Sequence, residues 1–130
     1  MPETTRGTGW MIEHVDDVPP VKPDWPATWK SLRHHFNITA FGINAVTKDA
    51  GKVLIPEHNE AQSGQQEIYF VHRGEVTVTL NGEQTTAAEG SVVAVEPATL
   101  RKFEAAASPT TLLVIGAAPG QPYEIGEWER

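Results

Sequence analysis

Hydrophobic residues alternate with polar ones over most of this chain from Ile38 onward, a period of two that predicts β-strands. The clearest case is EVTVTL-NG-EQTTAA, residues 75–88. Val76, Val78 and Leu80 alternate with Thr77 and Thr79, and Asn81-Gly82 is the dipeptide of a two-residue type I′ hairpin turn. ITAFGINAV (38–46), KVLIP (52–56), EIYFVH (67–72), SVVAVEP (91–97), RKFEA (101–105) and TTLLVIG (110–116) read as further short strands. Polar or glycine-bearing stretches separate them: KDAG (48–51), EHNEAQSGQQ (57–66), Arg73-Gly74 and Glu89-Gly90. About eight strands with turns roughly every eight to twelve residues predict an all-β sandwich or barrel. No helical period is long enough for a βαβ unit.

The first residues break this pattern. DDVPPVKPDWP (16–26) holds four prolines and cannot form a regular helix or a central strand. Trp10, Trp25 and Trp29 punctuate the region. Tryptophan is costly to leave in water, so this Pro/Trp-rich N-terminal arm is expected to pack on the barrel or on a second subunit. PATWKSLRHHF (26–36) predicts one or two helical turns. The chain divides into an arm (1–37), a barrel (38–118) and a tail (119–130) whose Tyr123 and Trp128 suggest packing as well.

Composition narrows the chemistry. The chain has 130 residues, 11 of them glycine and 10 proline, and a formal charge of −7 from 10 basic and 17 acidic residues. An acidic chain without basic runs argues against nucleic acid and anionic membrane surfaces as partners. Cysteine is absent, which excludes disulfides, thiolate metal sites and thiol nucleophiles. No apolar stretch approaches the ~20 residues that span a bilayer. The opening MPETTRGTGW lacks the apolar segment of a secretory signal, so a cytoplasmic location is expected. There is no P-loop, no G-x-S-x-G, no H-E-x-x-H and no Rossmann glycine pattern.

The stretch from Gly51 to Ala105 resembles the cupin family. Gly51, Glu67, the run IYFVHR and then Gly74 match the frame of the first cupin motif. Gly90, SVVAV and the following Glu96-Pro97-Ala98 match the second. The resemblance implies a jelly-roll β-barrel of the RmlC-like kind, usually a homodimer. It also implies a divalent metal held by two motif-one histidines, the motif-one glutamate and a motif-two histidine.

The ligand positions depart from that pattern. One register puts Glu57 and Asn59 at the two histidine positions, with His58 between them; shifting by one gives His58-x-Glu60. Arg101 stands at the motif-two histidine, and a guanidinium has no lone pair to donate. Two readings stay open. In one, His58, Glu60 and Glu67 hold Mn, Fe, Ni or Zn as a His/carboxylate/carboxylate set for isomerase, lyase or dioxygenase chemistry. In the other the pocket is metal-free, and Arg101 pairs with Glu67 or clamps the carboxylate of a small, anionic ligand. Strand alternation places Tyr69 with Glu67 and Phe103 with Arg101, so the expected pocket is His58, Glu60, Glu67, Tyr69, Arg101 and Phe103. His72 is expected to face outward, and His14, His34 and His35 to be solvated. A binding role for a Trp-bearing arm is a third possibility.

Overall fold

A computed structural model describes residues 5–21 and 29–125. Trp25 and Trp128 lie outside the described residues, as do parts of the arm and the tail. Two short strands, β1 (Thr5–Gly7) and β2 (Trp10–Ile12), form a small antiparallel ribbon, and a 3-10 turn follows at Val15–Asp17. After the undescribed segment come β3 (Trp29–Ser31) and the one-turn helix α1 (Leu32–Phe36). The barrel strands are β4 (Gly42–Lys48), β5 (Val53–His58), β6 (Gln66–Arg73), β7 (Glu75–Leu80), β8 (Glu83–Ala88), β9 (Val92–Val95), β10 (Arg101–Ala105) and β11 (Thr110–Ala117).

These strands make two antiparallel sheets, one in the order β5-β10-β7-β8 and one in the order β3-β4-β11-β6-β9. Their inner faces enclose one core. Val46, Leu54, Ile55, Tyr69, Val71, Val76, Val78, Phe103, Leu112 and Val114 are buried there, and Trp29 packs against them. The architecture is the all-β sandwich that the alternation predicts, in the jelly-roll form that the resemblance implies. Asn81 and Gly82 both have positive φ, 49° and 83°, as a type I′ turn requires.

Two boundaries differ from the sequence reading. The strand expected over 38–46 begins only at Gly42. Asn37 adopts the left-handed conformation that ends α1, and the Ile38 amide donates to the Arg33 carbonyl, so residues 37–41 leave the helix instead of entering the sheet. At the other end of the helix, Ser31 Oγ accepts from the His34 amide as an N-cap. Trp29 lies in β3, an edge strand paired with β4, so the arm's tryptophan joins the sheet.

The described arm docks on its own barrel. Val18, Leu32 and Ala45 form a second, smaller core on the outer face of the five-stranded sheet. Arg73 grips Asp16 with two nitrogens, at 3.2 and 3.0 Å, and also donates to Thr111 Oγ1. Lys30 Nζ donates to the carbonyls of Val15 and Asp16. Trp10, by contrast, is 52% exposed on the single chain.

Candidate metal and ligand site

The site begins with an irregular strand. Phe103 pairs with Ile55 while Arg101 pairs with His58, so β5 carries one more residue than β10 over that interval. The extra residue is a bulge at Pro56-Glu57, where both residues are exposed. Pro56 has no amide hydrogen to give the ladder and suits such a place. The bulge restores His58 to the inner face, leaving Glu57 and Asn59 exposed. Strand alternation alone could not choose among Glu57, His58, Asn59 and Glu60, because the bulge resets the period.

Three donors meet at this end of the barrel. One ligand atom each from His58, Glu60 and Glu67 lies within 4.8 Å of the other two. Each residue also has a polar atom engaged by a neighbouring group. His58 Nδ1 lies 2.8 Å from the Pro56 carbonyl oxygen. A carbonyl only accepts, so Nδ1 carries the proton and Nε2 is left to face Glu60 Oε1 at 3.2 Å. With the ring neutral, a lone pair there faces a carboxylate oxygen, an arrangement that calls for a cation or proton between them. Glu60 Oε2 accepts from Ser63 Oγ at 2.9 Å, and the Glu60 amide donates to the Pro97 carbonyl. Glu67 Oε1 accepts from Tyr69 Oη at 2.6 Å.

Glu67 owes its room to a glycine. Gly116 is its partner across the β6–β11 pairing, and a Cβ there would come within 2.8 Å of Glu67 Cγ. Burial holds the Glu67 carboxyl above the usual carboxylate range. The Tyr69 bond pulls it back down, Glu60 pushes it up, and Arg101 and His58 lower it. Burial first, then the Glu67 charge, drive the Tyr69 phenol well above its ordinary value, so the hydroxyl keeps its proton as a donor. The Tyr69 ring packs against Phe103 with centroids 4.3 Å apart.

A cavity of about 280 Å³ opens onto these donors. His58, Glu60, Glu67 and Tyr69 line it. Arg101 and Phe103 do not: both are fully buried behind the wall. The anticipated Arg101–Glu67 pair does not form. One guanidinium nitrogen, Nη2, donates to the Glu96 carbonyl at 3.1 Å, while Nε and Nη1 have no hydrogen-bond partner. The remaining walls come from residues the sequence did not nominate: Trp29, Asn44 and Gln65, with Tyr123 and Glu124 of the tail. Trp29 and Tyr123 stand out in the sequence only as aromatics expected to pack. Nothing there marks Asn44, whose buried Oδ1 has no partner. A broader hollow of about 620 Å³ lies along Ile68, Ala94 and Ile115, but Glu67 and Glu96 are its only carboxylates and it holds no histidine.

The other histidines stay out of this site. His72 is exposed on the outer face, and His34 is exposed as well. His35 pairs with Glu13 instead of standing free. His14 Nδ1 accepts from the Asp16 amide and caps the 3-10 turn.

Residues 46–116 match the model of the family described as "Cupin domain", more than half of the chain. No curated protein sequence matches it. Among solved structures, a cupin protein from Bacteroides fragilis is similar with a TM-score of 0.64 at 20% identity, over 84% of this chain and 92% of that one. A sugar phosphate isomerase from a cupin superfamily, from Silicibacter pomeroyi, gives 0.63 at 17% identity, over 80% and 73%. An RmlC-like cupin protein from Desulfovibrio desulfuricans gives 0.55 at 24% identity, over 61% and 73%. At these identities the likeness establishes the fold.

Proposed function

The chain belongs to the cupin domain family, and from that premise we propose that it is a small-molecule-binding cupin whose cavity is built round a divalent metal held by His58, Glu60 and Glu67. The observation that carries the reading is the anchoring of all three donor residues. His58 Nδ1, Glu60 Oε2 and Glu67 Oε1 are each fixed by a neighbouring group, and one ligand atom of each residue meets the others within 4.8 Å. Outer bonds of this kind orient metal ligands and set the histidine tautomer. The spread fits as well, since two ligands on one ion at bonds of ~2.1 Å are at most ~4.2 Å apart, a small inward shift from what is seen. An imidazole with two carboxylates suits Mn, Fe, Ni or Zn. When bound, such an ion polarises a ligand carbonyl or acidifies a bound water.

The chain's own residues define what enters beside it. No Lys or Arg side chain lines the cavity among the described residues. The walls offer acceptors instead: the Glu124 carboxylate and the amides of Asn44 and Gln65, with the rings of Trp29 and Tyr123. That set suits a small hydroxyl-bearing ligand, whose O–H groups satisfy the acceptors and whose C–H face lies on a ring. An anionic ligand would need the metal as its positive partner. The sugar phosphate isomerase similar in fold fits this picture for its sugar part only, because no basic side chain is placed here for a phosphate.

The test is elemental analysis of untagged protein purified without chelator, beside Glu67→Ala. About one equivalent of Mn, Fe, Ni or Zn in the wild type and its loss in the variant are expected. Metal-free wild-type protein that also fails to take up added Mn²⁺ would overturn the reading.

A further inference from the structure

Arg101 is the most unusual charge in this protein. It is 0% exposed, yet Nε and Nη1 have no hydrogen-bond partner, and its one bond, from Nη2, goes to a neutral carbonyl of Glu96. A buried cation without a contacting anion costs several kcal/mol, so it persists only if something nearby compensates it. Its place in the ladder says what. Arg101 is the direct partner of His58 across the β5–β10 pairing, and directly paired residues project from the same face with Cβ atoms ~5 Å apart. The Arg101 side chain therefore starts beside one of the three donors, on an inner face opposite the one that carries Glu67 and Tyr69. Its charge acts on both of those groups.

Resting on the metal reading above, we infer that Arg101 is a fixed internal cation that balances the Glu60 and Glu67 carboxylates when no metal is present and opposes the metal when one binds. Its side chain does not line the cavity, so it acts through charge and is a positioning residue, not a ligand. The two carboxylates and one guanidinium sum to a single negative charge. A divalent ion entering such a site meets less attraction than the carboxylates alone would supply, because a buried guanidinium is screened by water less than an exposed one would be. The site is thereby set to hold its metal loosely and to exchange it.

The experiment is a calorimetric titration of the full chain with Mn²⁺, comparing wild type, Arg101→Gln, Arg101→Met and Arg101→Lys, with each variant's melting recorded. Gln keeps an N–H for the Glu96 carbonyl, Met keeps length without polarity, and Lys keeps the charge. Both neutral variants are expected to bind Mn²⁺ at least tenfold more tightly than wild type, and Lys within about threefold of it. If Met does not fold, Gln decides the matter alone. Neutral variants that bind no more tightly than a binding wild type would overturn the inference and leave the metal reading standing. An absence of binding in every form would overturn both. Binding in the neutral variants but not in wild type would support the inference while overturning the reading for the native chain.

Discussion

Two arginines on the two sheets of this barrel are treated in opposite ways. Arg73, at the end of β6, is partly exposed and fully used: it grips Asp16 with two nitrogens and shares Thr111 Oγ1 with two. Arg101, at the start of β10, is sealed from solvent with one of its three nitrogens bonded. The first closes the arm onto the outer face of the five-stranded sheet, where both partners keep some water and the pair contributes modestly. The second sits on the inner face, where an incompletely satisfied charge is expensive. The clasp thus lies on the outer face of one sheet and the sealed cation on the inner face of the other. Where every donor has a partner the arm is fastened, and where donors are left over the charge is sealed behind the cavity wall.

That contrast breaks most forcefully from the inside. Phe103→Ala removes a fully buried ring that braces Tyr69, the residue that holds Glu67. A loss of about 3–5 kcal/mol in urea unfolding is expected for this change. Weaker Mn²⁺ binding should accompany it, because the donor to Glu67 loses its support. Arg73→Met acts on the outer face. It should cost about 1 kcal/mol and free the arm to protease, with the Mn²⁺ affinity unchanged. An altered affinity would show that the two faces are coupled after all.

Asp16→Asn probes the same clasp more gently. The hydrogen bond from Arg73 is the main cause that holds the Asp16 carboxyl below its ordinary value. A depressed carboxyl stabilises the fold above its unfolded pKa and loses that contribution as pH falls through the folded value. The wild-type advantage over Asp16→Asn should therefore be level above about pH 5 and vanish in more acidic solution. Because the pair is well solvated, the plateau should be well under ~1 kcal/mol. Urea midpoints of both proteins between pH 2.5 and 7 measure it.

Much of this architecture was legible from the chain because its causes are local. Alternation over 75–88 and the Asn81-Gly82 pair specify a hairpin without help from elsewhere. Alternation along β6 likewise puts Glu67 and Tyr69 on one face and His72 on the other. What could not be read depends on distant partners. The choice of His58 and Glu60 over Glu57 and Asn59 follows from a bulge that only the pairing with β10 defines. Arg101 starts beside His58 on one inner face, but whether its tip reaches the cavity depends on the loop at Glu96 that catches it. The Asp16–Arg73 clasp joins residues 57 positions apart, and no short-range pattern announces it.

The walls of the cavity do not all belong to the span that matches the family. His58, Glu60 and Glu67 fall within residues 46–116, whereas Trp29, Asn44, Tyr123 and Glu124 fall outside them. A chimera that carried only that span between foreign termini would inherit the three donors and lose part of the fence around them. Natural variation acts under the same division. Drift in the two ends of the chain can change what the cavity admits while leaving its inorganic chemistry intact, so relatives alike through the barrel need not share a ligand.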